Sequence, residues 1–139
     1  MIVAELLVGI SAFVILALGV AHLVYTFNGP KLAPRNRAVY SAMNSDSPGI
    51  SAETTMWKAW VGFNASHSLG AVLFGLVYGY LAWVRSDVLF GSFVLCVTGL
   101  AMLSALLVLA RRYWFSVPFR AIAVSLLCYV AGLVVAIAG

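Results

Sequence analysis

Four stretches of apolar residues, each long enough to cross a lipid bilayer as a helix, take up most of this chain. They cover about residues 2–27, 56–84, 88–110 and 117–138. A helix rises about 1.5 Å per residue, so about 20 apolar residues span the hydrocarbon layer. Because lipid offers the backbone no hydrogen-bond partners, such stretches must become helices. The sequence therefore predicts an all-α fold, a four-helix transmembrane bundle that forms a single domain.

The composition agrees with a membrane protein and excludes an ordinary soluble domain. Of 139 residues, 64% are hydrophobic and 9% are charged, whereas soluble domains are about 45–50% apolar and about 25% charged. The net charge of +4 could suggest a nucleic-acid partner. Here the basic residues flank the apolar stretches, which is typical of orientation in a bilayer. We expect membrane lipids as neighbours and no nucleic acid.

The basic residues also predict which side of the membrane each loop faces. With four spans, seven of them fall on one side: Lys31, Arg35, Arg37, Lys58, Arg111, Arg112 and Arg120. Only Arg85 falls on the other side. Because basic loops stay in the cytoplasm, the first and third loops are predicted to be cytoplasmic and both termini to lie outside.

The first loop holds the only sizeable polar stretch and predicts a short helix of its own. Residues 34–43 open on a proline, and Val39, Tyr40 and Met43 follow at roughly helical spacing. Such a helix would lie in the headgroup layer with its apolar face toward the lipid.

Small residues recur every four positions in the second stretch. Gly62, Ser66 and Gly70 form one ridge, and Gly75 and Gly79 form another. In lipid, ridges of this kind let helices approach closely and gain dispersion contacts. We expect both ridges to pack against other helices of this protein; a ridge that contacts a partner protein is the alternative.

Polar residues interrupt the apolar part of the first and second stretches. Trp60, Asn64 and His67 share one helix face, because their spacings are four and three residues. Polar groups inside a span are costly and usually functional. The predicted ligand-binding residues are His22, Trp57, Trp60, Asn64, His67 and Ser68. The alternative is structural: both histidines are interior side chains that hydrogen-bond to neighbouring polar groups.

The hypotheses that the two histidines hold a cofactor or act in catalysis have less support than ligand binding or a structural role. Axial ligands of one haem b should lie at one depth, but His67 lies ~15 Å past Trp57 while His22 lies only ~7 Å before Phe27. A zinc site needs three or four ligands, and no third ligand accompanies the histidines. General acid–base catalysis would depend on His67 alone, so we predict no catalytic residues and no metal.

The block WKAWVGFNASHSLG, residues 57–70, carries a resemblance. With YTFNGPKLAPR before it and LARRYWFSVPFRAIA after it, the chain resembles a family of short, uncharacterised bacterial four-span membrane proteins. It is more distantly similar in architecture to DoxX-like proteins. The resemblance implies the four-helix topology and a bacterial cytoplasmic (inner) membrane, and it implies no activity.

Basic residues near the ends of the spans have two interpretations. Lys58, Arg111, Arg112 and Arg120 could bind the headgroup of an anionic lipid or a quinone-like molecule. They could equally only orient the helices and snorkel to the interface.

Three functions follow from these residues. The leading hypothesis is a non-enzymatic membrane protein that binds a hydrophobic small molecule or lipid in a cytoplasmic-side pocket. The second is an accessory subunit of a larger membrane complex, or a homo-oligomer. The third is a small membrane enzyme or haem protein that uses His22 and His67.

Overall fold

The computed structural model describes residues 1–139, which form helices and no strands. The six helices are α1 (Ile2–Phe27), α2 (Arg37–Ser45), α3 (Met56–Val84), α4 (Ser86–Gly91), α5 (Phe93–Tyr113) and α6 (Ser116–Ala138). Four of them, α1, α3, α5 and α6, are long and apolar enough to cross a membrane. The predicted all-α, four-helix transmembrane architecture is confirmed, and the chain is a multi-pass membrane protein.

The third span begins later than the sequence predicts. Residues 86–91 form the separate short helix α4, and α5 begins at Phe93. Ser92 separates the two because its extended backbone interrupts the helix and its hydroxyl accepts a hydrogen bond from the Leu95 amide. A serine in this position satisfies one of the amides that a helix start leaves free. The span also continues past residue 110, so that Arg111 and Arg112 form the last turn of α5.

Residues 1–18 and 71–139 form one compact unit that contains parts of all four spanning helices. Its largest fully buried side chains include Val8, Ile15, Leu89, Leu103 and Tyr129. Close approach of α1 and α3 depends on Gly75, where an added Cβ would lie 2.6 Å from Leu16 Cβ and 2.8 Å from the Ala12 carbonyl oxygen. The ridge of Gly75 and Gly79 therefore packs inside the protein, as predicted.

Buried hydroxyls join helices within the same unit. The Ser125 hydroxyl donates to the Ser11 carbonyl at 3.0 Å, and the two serine hydroxyls are 2.8 Å apart. Tyr78 donates to the Leu95 carbonyl at 2.8 Å, and Tyr129 donates to the Cys96 carbonyl at 3.2 Å. Contacts of this kind between membrane helices contribute about 0.6 kcal/mol each on average, so they define register more than they add stability.

Residues 19–70 form the second unit, which holds the end of α1, the first loop, α2 and the start of α3. The short helix predicted over 34–43 occurs as α2, displaced toward the C-terminus. Asn36 causes the displacement, because its side chain accepts a hydrogen bond from the Ala38 amide at 2.9 Å and so caps the helix. None of the residues of α2 is buried.

The other small-residue ridge differs from expectation. Gly62, Ser66 and Gly70 are all exposed, and a Cβ added at either glycine would meet nothing within 4 Å. The prediction that this ridge packs against another helix of the same chain is therefore wrong. The outward face of α3 is left flat and uncovered at these three positions.

Candidate functional site

Polar side chains from α1 and α3 meet within the unit of residues 19–70. The His22 Nε2 atom lies 2.9 Å from Asn64 Oδ1. The ring of His67 meets the ring of His22 edge to face, with centroids 5.7 Å apart. We call His22, Asn64 and His67 the imidazole cluster; the structure brings together these three of the predicted ligand-binding residues.

The hydrogen bonds of Asn64 determine which nitrogen of His22 carries the proton. Asn64 Nδ2 donates to the Trp60 carbonyl at 2.8 Å. Because a carbonyl only accepts, the amide nitrogen must face Trp60 and the amide oxygen must face His22. His22 Nε2 therefore donates to Asn64, and in the neutral ring Nδ1 is left as the acceptor. The cluster thus offers an acceptor to a ligand.

Local hydrogen bonds along each helix hold the cluster in place. Ser68 donates to the Asn64 carbonyl at 2.7 Å, and Thr26 donates to the His22 carbonyl at 2.8 Å. Asn64 is 5% exposed and Ser68 is fully buried. No fully buried polar side-chain atom of the protein lacks a hydrogen-bond partner, as a low-dielectric interior requires. Ser68 therefore supports Asn64 through the backbone.

His67 has an aromatic neighbour, Phe63, that is not among the predicted site residues. The Phe63 ring lies nearly parallel to the His67 ring, with an interplanar angle of 8° and centroids 6.2 Å apart. Phe63 is 66% exposed and His67 is half-buried. The four-residue spacing could have identified this pair, since side chains four residues apart share a helix face. Phe63 gives the cluster an apolar, outward-facing edge.

The two tryptophans of the predicted site anchor the first loop to α3. Trp60 Nε1 donates to the Leu32 carbonyl at 3.0 Å. Trp57 meets the ring of Tyr40 on α2 edge to face, with centroids 4.9 Å apart. Trp60 is also bonded to the imidazole cluster, because its carbonyl accepts from Asn64. Trp57 packs against α2 and so helps to hold the first loop against α3.

The depth difference predicted for the two histidines is wrong. Leu32 follows the end of α1 by five residues, yet its carbonyl is bonded to Trp60, in the second turn of α3. The rings of His22 and His67 have centroids 5.7 Å apart, so the two imidazoles lie at adjacent positions. A difference in depth therefore does not exclude haem b.

The chemistry of the cluster still restricts what it can hold. An iron bound to His22 would have to use Nδ1, because Nε2 is engaged by Asn64. The protein has no group of three or more His, Cys, Asp or Glu side chains placed to hold a metal ion. A neutral amide and two imidazoles suit hydrogen bonding to an uncharged polar group better than binding of an ion.

The four basic residues predicted to bind a headgroup divide between the two units. Arg111 and Arg112 lie in the last turn of α5, and Arg120 lies in the second turn of α6. Arg111 lies over the ring of Phe119, 5.7 Å from its centroid. All three are exposed at the turn that joins the helices. Lys58, in the first turn of α3, belongs to the other unit and is exposed there.

A cavity of about 320 Å³ lies in the unit of residues 1–18 and 71–139. It was not predicted from the sequence, because it forms where the break between α4 and α5 faces the last turns of α6. Its lining is mostly apolar: Phe90, Gly91, Phe93, Cys96, Leu133, Ala136 and Ile137. The Cys96 thiol donates to the Leu89 carbonyl at 3.3 Å. None of the residues of the imidazole cluster lines this cavity.

Comparison with protein-family models, with curated proteins and with solved structures finds no match for this chain. The resemblance carried by residues 57–70 therefore stays a prediction.

Proposed function

We propose that this chain is a membrane protein that binds a hydrophobic small molecule or lipid at the imidazole cluster. The observation that carries the proposal is the hydrogen-bonded pair of His22 and Asn64 with the ring of His67 against it. These polar groups lie on spanning helices, where polar side chains are costly and mark binding or transport sites. The least apolar of the four spans, α3, supplies two of the three residues.

The ligand class follows from the hydrogen-bonding character of the cluster. The acceptor at His22 Nδ1 fits a ligand head that carries a hydroxyl or phenol donor. The neighbouring Phe63 ring is exposed and apolar, so it suits the ligand's hydrocarbon part. The fitting molecule is an uncharged amphiphile with a hydroxyl at the head of an apolar body, because an ion would lack a counter-charge among these three side chains.

The orientation supports a site on the cytoplasmic side of a bacterial inner membrane. Seven of the eight basic residues belong to the first and third loops or to the helix turns beside them. With those loops in the cytoplasm and both termini outside, the cluster lies in the half of the membrane nearer the cytoplasm, because His22 is five residues from the end of α1.

The proposal is tested by mild extraction of the full chain and mass spectrometry of what it retains. Wild-type protein should retain one hydroxyl-bearing amphiphile, and His67→Ala should lose most of it without a change in melting temperature. Ser66→Ala is the matched control, because Ser66 is exposed and its hydroxyl bonds only to the Phe63 carbonyl of its own helix.

Three outcomes would overturn this proposal. The first is that wild type, H67A and S66A all retain only bulk phospholipid. The second is that H67A lowers the melting temperature and leaves the retained molecules unchanged, which would make the cluster structural. The third is a Soret band in the absorption spectrum, which would identify haem b in place of the amphiphile.

A second candidate function is a subunit that packs against another membrane protein, or against a second copy of itself. The observation that favours it is the uncovered ridge of Gly62, Ser66 and Gly70 on α3. Helices in lipid associate through surfaces of this kind, because small residues allow close backbone approach.

We expect Gly62→Leu combined with Gly70→Leu to abolish such an association, measured by native mass spectrometry of the gently extracted protein. Leu69→Ala is the control, since Leu69 is exposed beside the ridge. A wild-type protein that is monomeric and carries no partner chain would exclude this second function.

A further inference from the structure

We propose that the first loop and α2 form a surface that binds the headgroups of anionic phospholipids in the adjoining leaflet. The surface consists of Lys31, Arg35, Arg37, Lys58 and the helix α2, and we call it the basic face. It lies in the unit of residues 19–70 and includes none of the three residues of the imidazole cluster.

The cations of the basic face have no internal counter-charges. All four are exposed, and the only salt bridge of the protein joins Arg85 to Asp87 elsewhere. The same unit contains two carboxylates, Asp46 and Glu53. Asp46 accepts a hydrogen bond from the amide of the next residue in its own turn. The excess of positive charge is therefore available to an anionic partner.

The helix α2 is amphipathic and uncovered. Val39 and Met43 lie on one side, while Arg37 and Ser41 lie on the other. None of its residues is buried, and Val39 is 47% exposed. A short helix with one apolar side and a basic start is stable at a membrane surface, where the apolar side enters the headgroup–acyl boundary.

Contacts with α3 hold this helix at the end of a span. The Met56 amide donates to the Asp46 carbonyl at 2.9 Å, which joins the segment after α2 to the start of α3. The ring contact between Tyr40 and Trp57 joins α2 itself to the first turn of α3. The helix is thus fixed beside the point where a membrane-spanning helix begins, which is the depth of the lipid headgroups.

Lys31 and Asn36 order the chain between α1 and α2. The Lys31 ammonium lies 3.7 Å from the centroid of the Tyr25 ring, near the end of α1. Asn36 caps α2 and lies between Arg35 and Arg37. The cations are therefore presented by an ordered segment at the edge of the membrane.

Anionic phospholipid is the partner that matches both properties of this surface. Basic residues next to a span gain about 1 kcal/mol each from an anionic leaflet, which is about a fivefold change in a binding constant. An acidic protein or a nucleic acid would use the charges but would leave the apolar side of α2 without a partner. A neutral bilayer would cover the apolar side but would gain nothing from the charges.

The test uses the full chain in nanodiscs of phosphatidylcholine mixed with phosphatidylglycerol. Native mass spectrometry of released protein should show phosphatidylglycerol enriched over its bulk fraction. Arg35→Gln combined with Arg37→Gln should lower that enrichment about fivefold for each removed charge. Arg85→Gln is the control, because Arg85 is paired with Asp87 and is the one basic residue predicted to lie on the other side of the membrane. A loss in R85Q equal to that for each charge removed by R35Q/R37Q, or no enrichment in wild type, would overturn the proposal.

A spin label at Val39, in a Cys96→Ser and Cys128→Ser background, reports where α2 lies. In the mixed nanodiscs we expect the label to be accessible to oxygen and shielded from a water-soluble relaxant. R35Q/R37Q should increase the access of the relaxant. Free glycerol phosphate should fail to release the helix, which distinguishes a bilayer surface from a soluble phosphate site. A label that is water-exposed in every lipid mixture would overturn the proposal.

Discussion

Gly99→Ala should destabilise this protein more than an alanine at any exposed glycine. A Cβ at residue 99 would contact the Tyr129 hydroxyl directly, and it would lie 2.6 Å from Tyr129 Cζ and 2.7 Å from Tyr78 Cε1. Both rings are buried, and their hydroxyls donate to backbone carbonyls of α5. Neither ring can withdraw without losing its hydrogen bond, so we expect a loss of about 1–3 kcal/mol, as for other overpacked sites.

Thermal unfolding in detergent, followed by circular dichroism, measures this effect. Gly62→Ala is the control, because an added Cβ there meets nothing within 4 Å. A double-mutant cycle identifies the cause: Gly99→Ala should cost less in a Tyr129→Leu background, where the colliding ring is absent. Additive losses in the cycle, or a melting temperature of G99A equal to that of G62A, would contradict the packing that we describe around α5.

Asn64→Leu should abolish ligand retention and also destabilise the fold. The variant removes the acceptor of the His22 Nε2 proton and the donor to the Trp60 carbonyl. A buried polar group left without its partner costs about 1–3 kcal/mol. Retention should fall because His22 loses the bond that orients its ring and directs Nδ1 away from Asn64.

The variant that combines Asn64→Leu with His22→Leu separates stability from binding. Replacing both partners removes the unsatisfied imidazole, so the melting temperature should recover toward wild type while the ligand stays absent. Melting curves and mass spectrometry of retained molecules are measured on the same samples. If the double variant retained the wild-type ligand, the cluster would not be the binding site, whatever the melting temperatures.

The sequence predicted the bounds of a span well where residues at the span's own ends determine those bounds. α1 and α3 occupy residues 2–27 and 56–84, as predicted. The third span was placed less well, because the apolar run continues through residues 88–91 without a break in composition. Ser92 separates α4 from α5 through its extended backbone and its hydrogen bond with the Leu95 amide. A single serine in an apolar run is a weak sequence signal for such a break.

The two small-residue ridges of α3 show where the sequence is insufficient. Gly62, Ser66 and Gly70 have the same four-residue spacing as Gly75 and Gly79. Only the second ridge lies against α1, where the Leu16 side chain and the Ala12 backbone occupy the space that a Cβ would need. The pattern identifies a surface that can be approached closely, but the neighbouring helix decides whether it is.

For the candidate site too, the sequence predicted the part that lies on one helix but not the contact between two helices. Asn64 and His67 were predicted to share a face, since their spacing along one helix determines it. Their meeting with His22 is a contact between residues 42 positions apart. This contact depends on how the first loop folds back to bring α3 beside α1. The hydrogen bond from Trp60 to the Leu32 carbonyl is one contact that holds the loop against α3.

By itself, the sequence determined that this chain is helical and crosses the membrane four times, because the free energy of placing a helix in lipid is close to a sum over that helix's own residues. Only the tertiary structure decided which polar and small side chains meet, because those contacts depend on the relative depth of two helices, and a shift of one turn would replace every pair.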